Sequence, residues 1–200
     1  MTLYEFARVC LRPLTRTLFD ARVSGLENVP PNGPLVVAAN HRSYLDPPTL
    51  GAWFPRVVHF MAKRQLFNIA LLGPLIARVH AFPVDRERAD LPSIRQALRL
   101  LKKGEVVGIF PEGTRNLAGD VKARGGAVLL AAMARCPVVP VALQGTSRAI
   151  RDFRRSHVRV RIGRPMLFEG SHGKPTKGEL EQWTQELALA IAALSEDTKA

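Results

Sequence analysis

Residues 34–46 read Pro-Leu-Val-Val-Ala-Ala-Asn-His-Arg-Ser-Tyr-Leu-Asp, an apolar run that empties into polar side chains at Asn40. A short, continuous, valine-rich run of this kind predicts a strand buried on both faces, as in a parallel sheet covered by helices. The same layout recurs at Val57–Met61, Val106–Phe110 and Val138–Leu143. Between these runs, Leu91, Ile94, Ala97, Leu98 and Leu101 form a helical stripe, with Asp90 before it and Gly104 after it. A second helix is predicted from about Arg124 to Arg135, stopping at Pro137. Val158, Val160 and Ile162 alternate with Arg159 and Arg161, the pattern of a half-exposed strand. A last helix starts at a capping box, Thr176 with Glu179, and buries Leu180, Trp183, Leu187, Ile191 and Leu194. Alternation of this kind predicts one α/β domain whose mixed, largely parallel sheet is flanked by helices.

Composition narrows the function. Hydrophobic residues make up 46% of the 200 and charged residues 23%, which excludes a disordered or collagen-like chain. Twenty-nine Lys and Arg oppose 17 Asp and Glu, leaving a net charge of +12. That excess predicts a polyanionic partner: nucleic acid, an anionic membrane or a phosphorylated substrate. The two cysteines, Cys10 and Cys136, are far apart in apolar surroundings, and neither they nor the scattered histidines show metal-ligand spacing. Both are expected as reduced core thiols.

The longest helix-compatible apolar runs, Leu66–Ala77 and Ala127–Ala134, fall well short of the about 20 residues that span a bilayer. Glu5, Arg8, Arg12 and Arg16 interrupt the first apolar stretch, which argues against a secretory signal. Residues 3–19 instead set Leu3, Phe6, Ala7, Cys10, Leu11, Leu14 and Leu18 at helical spacing, with the three arginines on another face. Pro13 is expected to kink or divide this helix. It either packs on the domain or lies in a membrane interface with its arginines toward the headgroups.

Three segments place chemistry at the ends of predicted strands, where ligands gather in open α/β sheets. In the first, His41 follows a buried strand and Asp46 stands five positions on, within reach of the imidazole across a turn. A carboxylate on one ring nitrogen fixes the tautomer and leaves the other nitrogen as a general base. Alternatively, Asp46 merely caps a helix that begins at Pro47. In the second, Phe110-Pro-Glu-Gly-Thr-Arg115, Gly113 permits a turn with exposed N–H groups and Arg115 has the fork that grips a phosphate. A plain structural turn is the alternative. The third is Pro83-Val-Asp-Arg86, with Lys63 upstream. No GxSxG elbow or base-paired cysteine is present, so the chemistry must be direct attack by a deprotonated substrate group.

Taken in order, these segments resemble the glycerolipid acyltransferase family, in particular the 1-acylglycerol-3-phosphate acyltransferases. The resemblance rests on a His-x4-Asp block at Asn40–Asp46, an Arg-terminated block at Phe82–Arg86, the FPEGTR block at Phe110–Arg115 and a proline-centred apolar block at Val138–Leu143. Asn116 stands where many members have Ser, and His80-Ala81 replaces a Gly-containing approach to the second block.

The resemblance implies that His41 takes the proton of the sn-2 hydroxyl of a lysophosphatidate and that Asp46 orients His41. An acyl-CoA or acyl-carrier protein would supply the thioester. Lys63, Arg86 and Arg115 would hold the acceptor phosphate, in a pocket shaped by Glu112, Gly113 and Thr114. No metal, prosthetic group or nucleic acid is expected. Residues 1–20 are then expected to attach the chain peripherally to the cytoplasmic face of the membrane, and residues 21–200 to form the acyltransferase domain. The same machinery would serve another lysolipid or glycolipid acceptor. A non-catalytic nucleic-acid or membrane binder would rest on the seven arginines between Arg148 and Arg164, which have almost no interleaved aromatics.

Overall fold

The computed structural model describes residues 1–85, 90–111, 125–149, 152, 156–168 and 175–196. The first half of the chain forms helix α1 (Leu3–Phe19), strands β1 (Arg22–Ser24) and β2 (Leu35–Ala39), helix α2 (Asp46–Trp53), strand β3 (Val58–Lys63), helix α3 (Leu72–Arg78) and strand β4 (Phe82–Val84). The second half adds α4 (Leu91–Lys102), β5 (Val106–Ile109), α5 (Gly126–Ala134), β6 (Val138–Gln144), α6 (Thr146–Ala149), β7 (Arg159–Ile162) and α7 (Lys177–Glu196).

The seven strands form one sheet in the order β1-β7-β6-β2-β5-β3-β4. Between these strands, every pairing is parallel except β6 with β7. The expected mixed, largely parallel sheet is therefore the one observed. Two short strands have no clear sequence signal. Strand β4 is three residues long and contains Pro83, which a sheet accepts at its edge because no ladder donor is needed there. Strand β1 is equally short and occupies the opposite edge.

Central β2 shows why the valine-rich run carried no period. Val36 and Ala38 face one apolar layer with Ala97 and Leu101 of α4, Leu130 of α5 and Trp183, Leu187 and Ile191 of α7. Leu35, Val37 and Ala39 face the other layer, with Leu50 of α2 and Phe54, Phe60 and Phe110. Both faces are covered, so every position is apolar. The C-terminal helix is anchored as its capping box predicts: the Glu179 N–H donates to Thr176 Oγ1, and the Thr176 N–H donates to Glu179 Oε2.

Helix α1 runs unbroken through Pro13 and lies against α2. Its two buried residues, Tyr4 and Thr15, both make polar contacts. Tyr4 Oη donates to the Gly51 carbonyl and accepts from the Val58 N–H, and Trp53 Nε1 donates to Thr15 Oγ1. Arg12 Nε donates to the Ala52 carbonyl at 2.6 Å, and the Arg8 guanidinium donates to the Phe54 carbonyl at 2.8 Å. These are carbonyls at the C-terminal end of α2, where orphan acceptors and the helix dipole both favour a cation. The expectation that Arg8 and Arg12 face headgroups is thus corrected: both turn inward to α2. The outer face carries Leu3, Phe6, Val9 and Leu14, all exposed. Cys10 is exposed too, which corrects its assignment to the core, while Cys136 is buried as expected.

At its C-terminal end α1 is capped by Asp20 in the left-handed conformation, and the Asp20 carboxylate takes His157, Arg159 and Arg22. Those partners hold its carboxyl well below the ordinary range. Arg161 donates to the Leu194 carbonyl near the end of α7. Two of the arginines that suggested an anion-binding surface therefore have intramolecular partners.

Candidate active site

Asn40 and His41 extend β2 beyond its last sheet residue, and the chain then turns so that Asp46, the first residue of α2, points back at them. His41 Nδ1 lies 2.9 Å from Asp46 Oδ2. The same oxygen accepts the Arg42 N–H at 2.6 Å and the Ser43 N–H at 2.7 Å. Asp46 is fully buried and His41 nearly so. Asp46 Oδ1 has no hydrogen-bond partner among the described residues.

The sequence explains why Asp46 orients the histidine instead of capping its own helix. The next two residues are Pro47 and Pro48, which have no N–H to offer, and the N–H of Thr49 donates to the Leu45 carbonyl at 3.0 Å. The carboxylate therefore finds its donors behind it, on Arg42, Ser43 and His41. With the carboxylate accepting from Nδ1–H, the neutral imidazole presents an unprotonated Nε2, which can take a proton from an approaching hydroxyl.

Two further contacts fix the imidazole. Phe110, the first residue of the FPEGTR block, stacks on it with ring centroids 4.3 Å apart. Phe60 of β3 stacks on Phe110 at 5.8 Å and 11°. Gly108 makes room for this pile: a Cβ there would sit 2.6 Å from the Phe60 ring. Asn40, buried beside His41, donates to the Leu143 carbonyl at 2.9 Å and accepts the Leu143 N–H at 2.6 Å. Its amide thus adds one side-chain rung to the β2–β6 ladder, beyond the last pair Ala39–Val141.

Neither Asn40 nor Phe60 nor Gly108 stood out as a functional candidate in the sequence. The available signal for Asn40 was a lone amide between a fully apolar strand and a histidine, since buried amides need partners.

Lys63 ends β3 at the same carboxyl edge of the sheet, exposed and paired in register with Val84 of β4. One strand, β5, separates β3 from β2, so the Lys63 backbone stands about 10 Å from the β2 axis at two strand spacings. Asp90 organises the neighbouring end of β4. Its carboxylate accepts the Asp85 N–H at 2.6 Å, the Ser93 N–H at 3.2 Å and the Arg64 guanidinium at 3.3 Å. Hydrogen bonds from Asp85 and Ser93, with the charge of Arg64, keep this carboxyl below its ordinary range. Arg86, Glu112, Gly113, Thr114 and Arg115 lie outside the described residues.

Comparison with known proteins follows the same lines. The sequence model of the family described as Acyltransferase matches residues 20–144. The chain is 36% identical over 193 residues to a 1-acyl-sn-glycerol-3-phosphate acyltransferase of Bacillus subtilis, covering 96% of each chain. It is 35% identical to the Pseudomonas aeruginosa protein of the same description, over 92% of this chain and 75% of that one. Among solved structures, the 1-acyl-sn-glycerophosphate acyltransferase PlsC of Thermotoga maritima superposes with a TM-score of 0.76 at 25% identity. That match covers 99% of this chain and 80% of that one.

Proposed function

The chain belongs to the acyltransferase family, and on that premise we propose that it moves an acyl chain from a thioester to the sn-2 hydroxyl of 1-acylglycerol-3-phosphate, giving phosphatidate. The observation that carries the mechanism is the 2.9 Å pairing of His41 Nδ1 with a buried Asp46 at the mouth of β2. His41 Nε2 takes the hydroxyl proton as the oxygen attacks the thioester carbonyl. The C–S bond then breaks and the departing thiolate takes up the proton. Asp46 holds the tautomer and supports the imidazolium. General-base help of about 10²–10⁴-fold, added to positioning, suits an acyl group already activated as a thioester. The reaction as written requires neither metal nor prosthetic group.

The donor is acyl-CoA or acyl-carrier protein. Lys63, Arg86 and Arg115 hold the acceptor phosphate, with Glu112, Gly113 and Thr114 shaping the pocket. No helix among the described residues is long and apolar enough to cross a membrane. In this reading attachment is peripheral, at the cytoplasmic face, through residues 1–20. The exposed Leu3, Phe6, Val9 and Leu14 of α1 support it, since an apolar helix face turned outward suits the headgroup boundary.

The test is thiol release from acyl-CoA and acyl-carrier protein against lysophosphatidate, other lysophospholipids and glycerol-3-phosphate. Lysophosphatidate should be the preferred acceptor, and His41→Ala should abolish release. Preference for another lysolipid would reassign the acceptor, and no release with any of them would overturn the reading. Arg115→Lys should raise KM for lysophosphatidate more than for the donor, because Lys cannot reproduce a bidentate phosphate grip.

A further inference from the structure

The stretch from Pro47 to Val84 contains no acidic residue and carries Arg56, Lys63, Arg64 and Arg78. Its most apolar part, Ile69-Ala-Leu-Leu-Gly-Pro-Leu75, lies in the turn after β3 and the first half of α3, and it is not folded into the core. Leu71 is 89% exposed, Leu75 50% and Ile69 49%. Gly73, by contrast, is buried, and a Cβ there would sit 2.1 Å from the Phe67 carbonyl oxygen, so the turn that presents these side chains is tightly built.

This shoulder lies on the same side of the sheet as α1. Strand order makes β2-to-β3 and β3-to-β4 run in the same direction across the sheet, so right-handed crossovers put α2 and α3 on one face. Helix α1 lies on that face against α2, and its Tyr4 ring packs on His80, two residues beyond α3, at 5.4 Å. The stripes of α4, α5 and α7 cover the opposite face. Two exposed apolar elements therefore share one side of the molecule. The shoulder also follows the carboxyl end of β3, the sheet edge at which His41 sits, and exposed Lys63, Arg64 and Arg78 flank it in the sequence, Arg64 also reaching Asp90 at 3.3 Å.

We propose that Ile69, Leu71 and Leu75 form a second insertion point for an anionic bilayer surface, acting with the outer face of α1. Apolar tips flanked by cations, in a stretch with no acid of its own, match a layer with anionic headgroups above acyl chains. Two separated contacts define an orientation where one helix alone leaves the domain free to swing. They hold the carboxyl edge of the sheet against the lipid, so an acceptor need not leave the layer to meet His41. The proposal rests on the membrane attachment inferred above and adds where the domain itself touches.

The experiment uses the full chain with phosphatidylglycerol/phosphatidylethanolamine vesicles. Ile69→Ser/Leu71→Ser/Leu75→Ser should weaken vesicle partitioning by at least about tenfold, the factor that 1.4 kcal/mol represents. Its melting temperature and its turnover of a monodisperse short-chain lysophosphatidate should be unchanged. As a second measure that leaves the turn intact, the indole introduced by Leu71→Trp should shift its emission to the blue on vesicles and be quenched by brominated lipid, beyond the response of Trp53 and Trp183. Undiminished partitioning of the folded triple variant would overturn the proposal, as would a water-like emission from the Leu71→Trp variant's new indole on vesicles. So would a wild-type dimer that the triple variant dissociates while vesicle binding stays intact, because the shoulder would then belong to a second copy. Vesicle binding through the shoulder without acyl transfer to any lysolipid would overturn the enzymatic reading and leave this surface standing.

Discussion

Asn40 and Leu143 exchange two hydrogen bonds across the mouth of the sheet, one in each direction, and this side-chain rung ends one residue before His41. Asn40→Ala leaves a buried N–H and a buried carbonyl unpaired, which should cost about 2–4 kcal/mol of stability. Turnover should fall as His41 loses its fixed backbone. Urea unfolding midpoints and thiol-release rates check both. Wild-type values of both would show that the rung has no positioning role.

Asp46→Asn should be worse than a simple change in base strength. Asp46 Oδ2 serves three donors at once, and a neutral amide weakens each charge-assisted bond. We expect lower kcat together with a lower melting temperature, whereas His41→Ala should remove turnover with little change in melting. The two variants are separated by running both assays on each.

Gly108→Ala should act at a distance. The added methyl meets the Phe60 ring, which stacks on Phe110, which stacks on His41. Overpacking of this kind costs about 1–3 kcal/mol. The informative readout is a fall in kcat with KM for the donor retained, as a tilted imidazole would produce. A purely structural loss would lower the amount of folded enzyme and leave kcat per folded molecule intact.

The pH dependence of stability should carry a histidine component. Burial and the nearby His80 depress His59 below its ordinary value near 6.5, with Glu105 at 3.7 Å opposing the shift and Tyr4 packed on His80. The unfolded chain then takes up a proton before the folded one does. This contribution is fully present above about pH 6.5 and is lost as pH falls from there toward the folded-state value. Thermal melts between about pH 5.5 and 8 should show the decline, and His59→Gln should flatten it.

The two cysteines should differ in solution. Burial pushes the Cys136 thiol up to about 11, whereas Cys10 lies on the exposed face of α1. One thiol per folded chain should react with a maleimide, and Cys10→Ser should abolish the reaction. Modification of both in the native state would contradict the placement of Cys136. Because Cys10 shares the outer face with Phe6 and Leu14, anionic vesicles should also slow its labelling.

The sequence by itself determined the α/β architecture, because strands buried on both faces must be continuously apolar, and helices that cover them must carry a 3.6-residue stripe. It also located His41, since a polar residue directly after such a strand can only stand at the sheet's rim. What it left open were choices between partners that are distant along the chain. Whether Asp46 caps a helix or holds His41 depends on which donors come within reach, and the turn through Arg42 and Ser43 supplies them while Pro47 and Pro48 do not. The inward turn of Arg8 and Arg12 depends on α2 ending beneath α1, with each bond joining residues far apart in the sequence. An amphipathic pattern states that a helix has two faces. Only the packed structure decides which face is covered, because a guanidinium set against orphan carbonyls competes with a leucine for the same place.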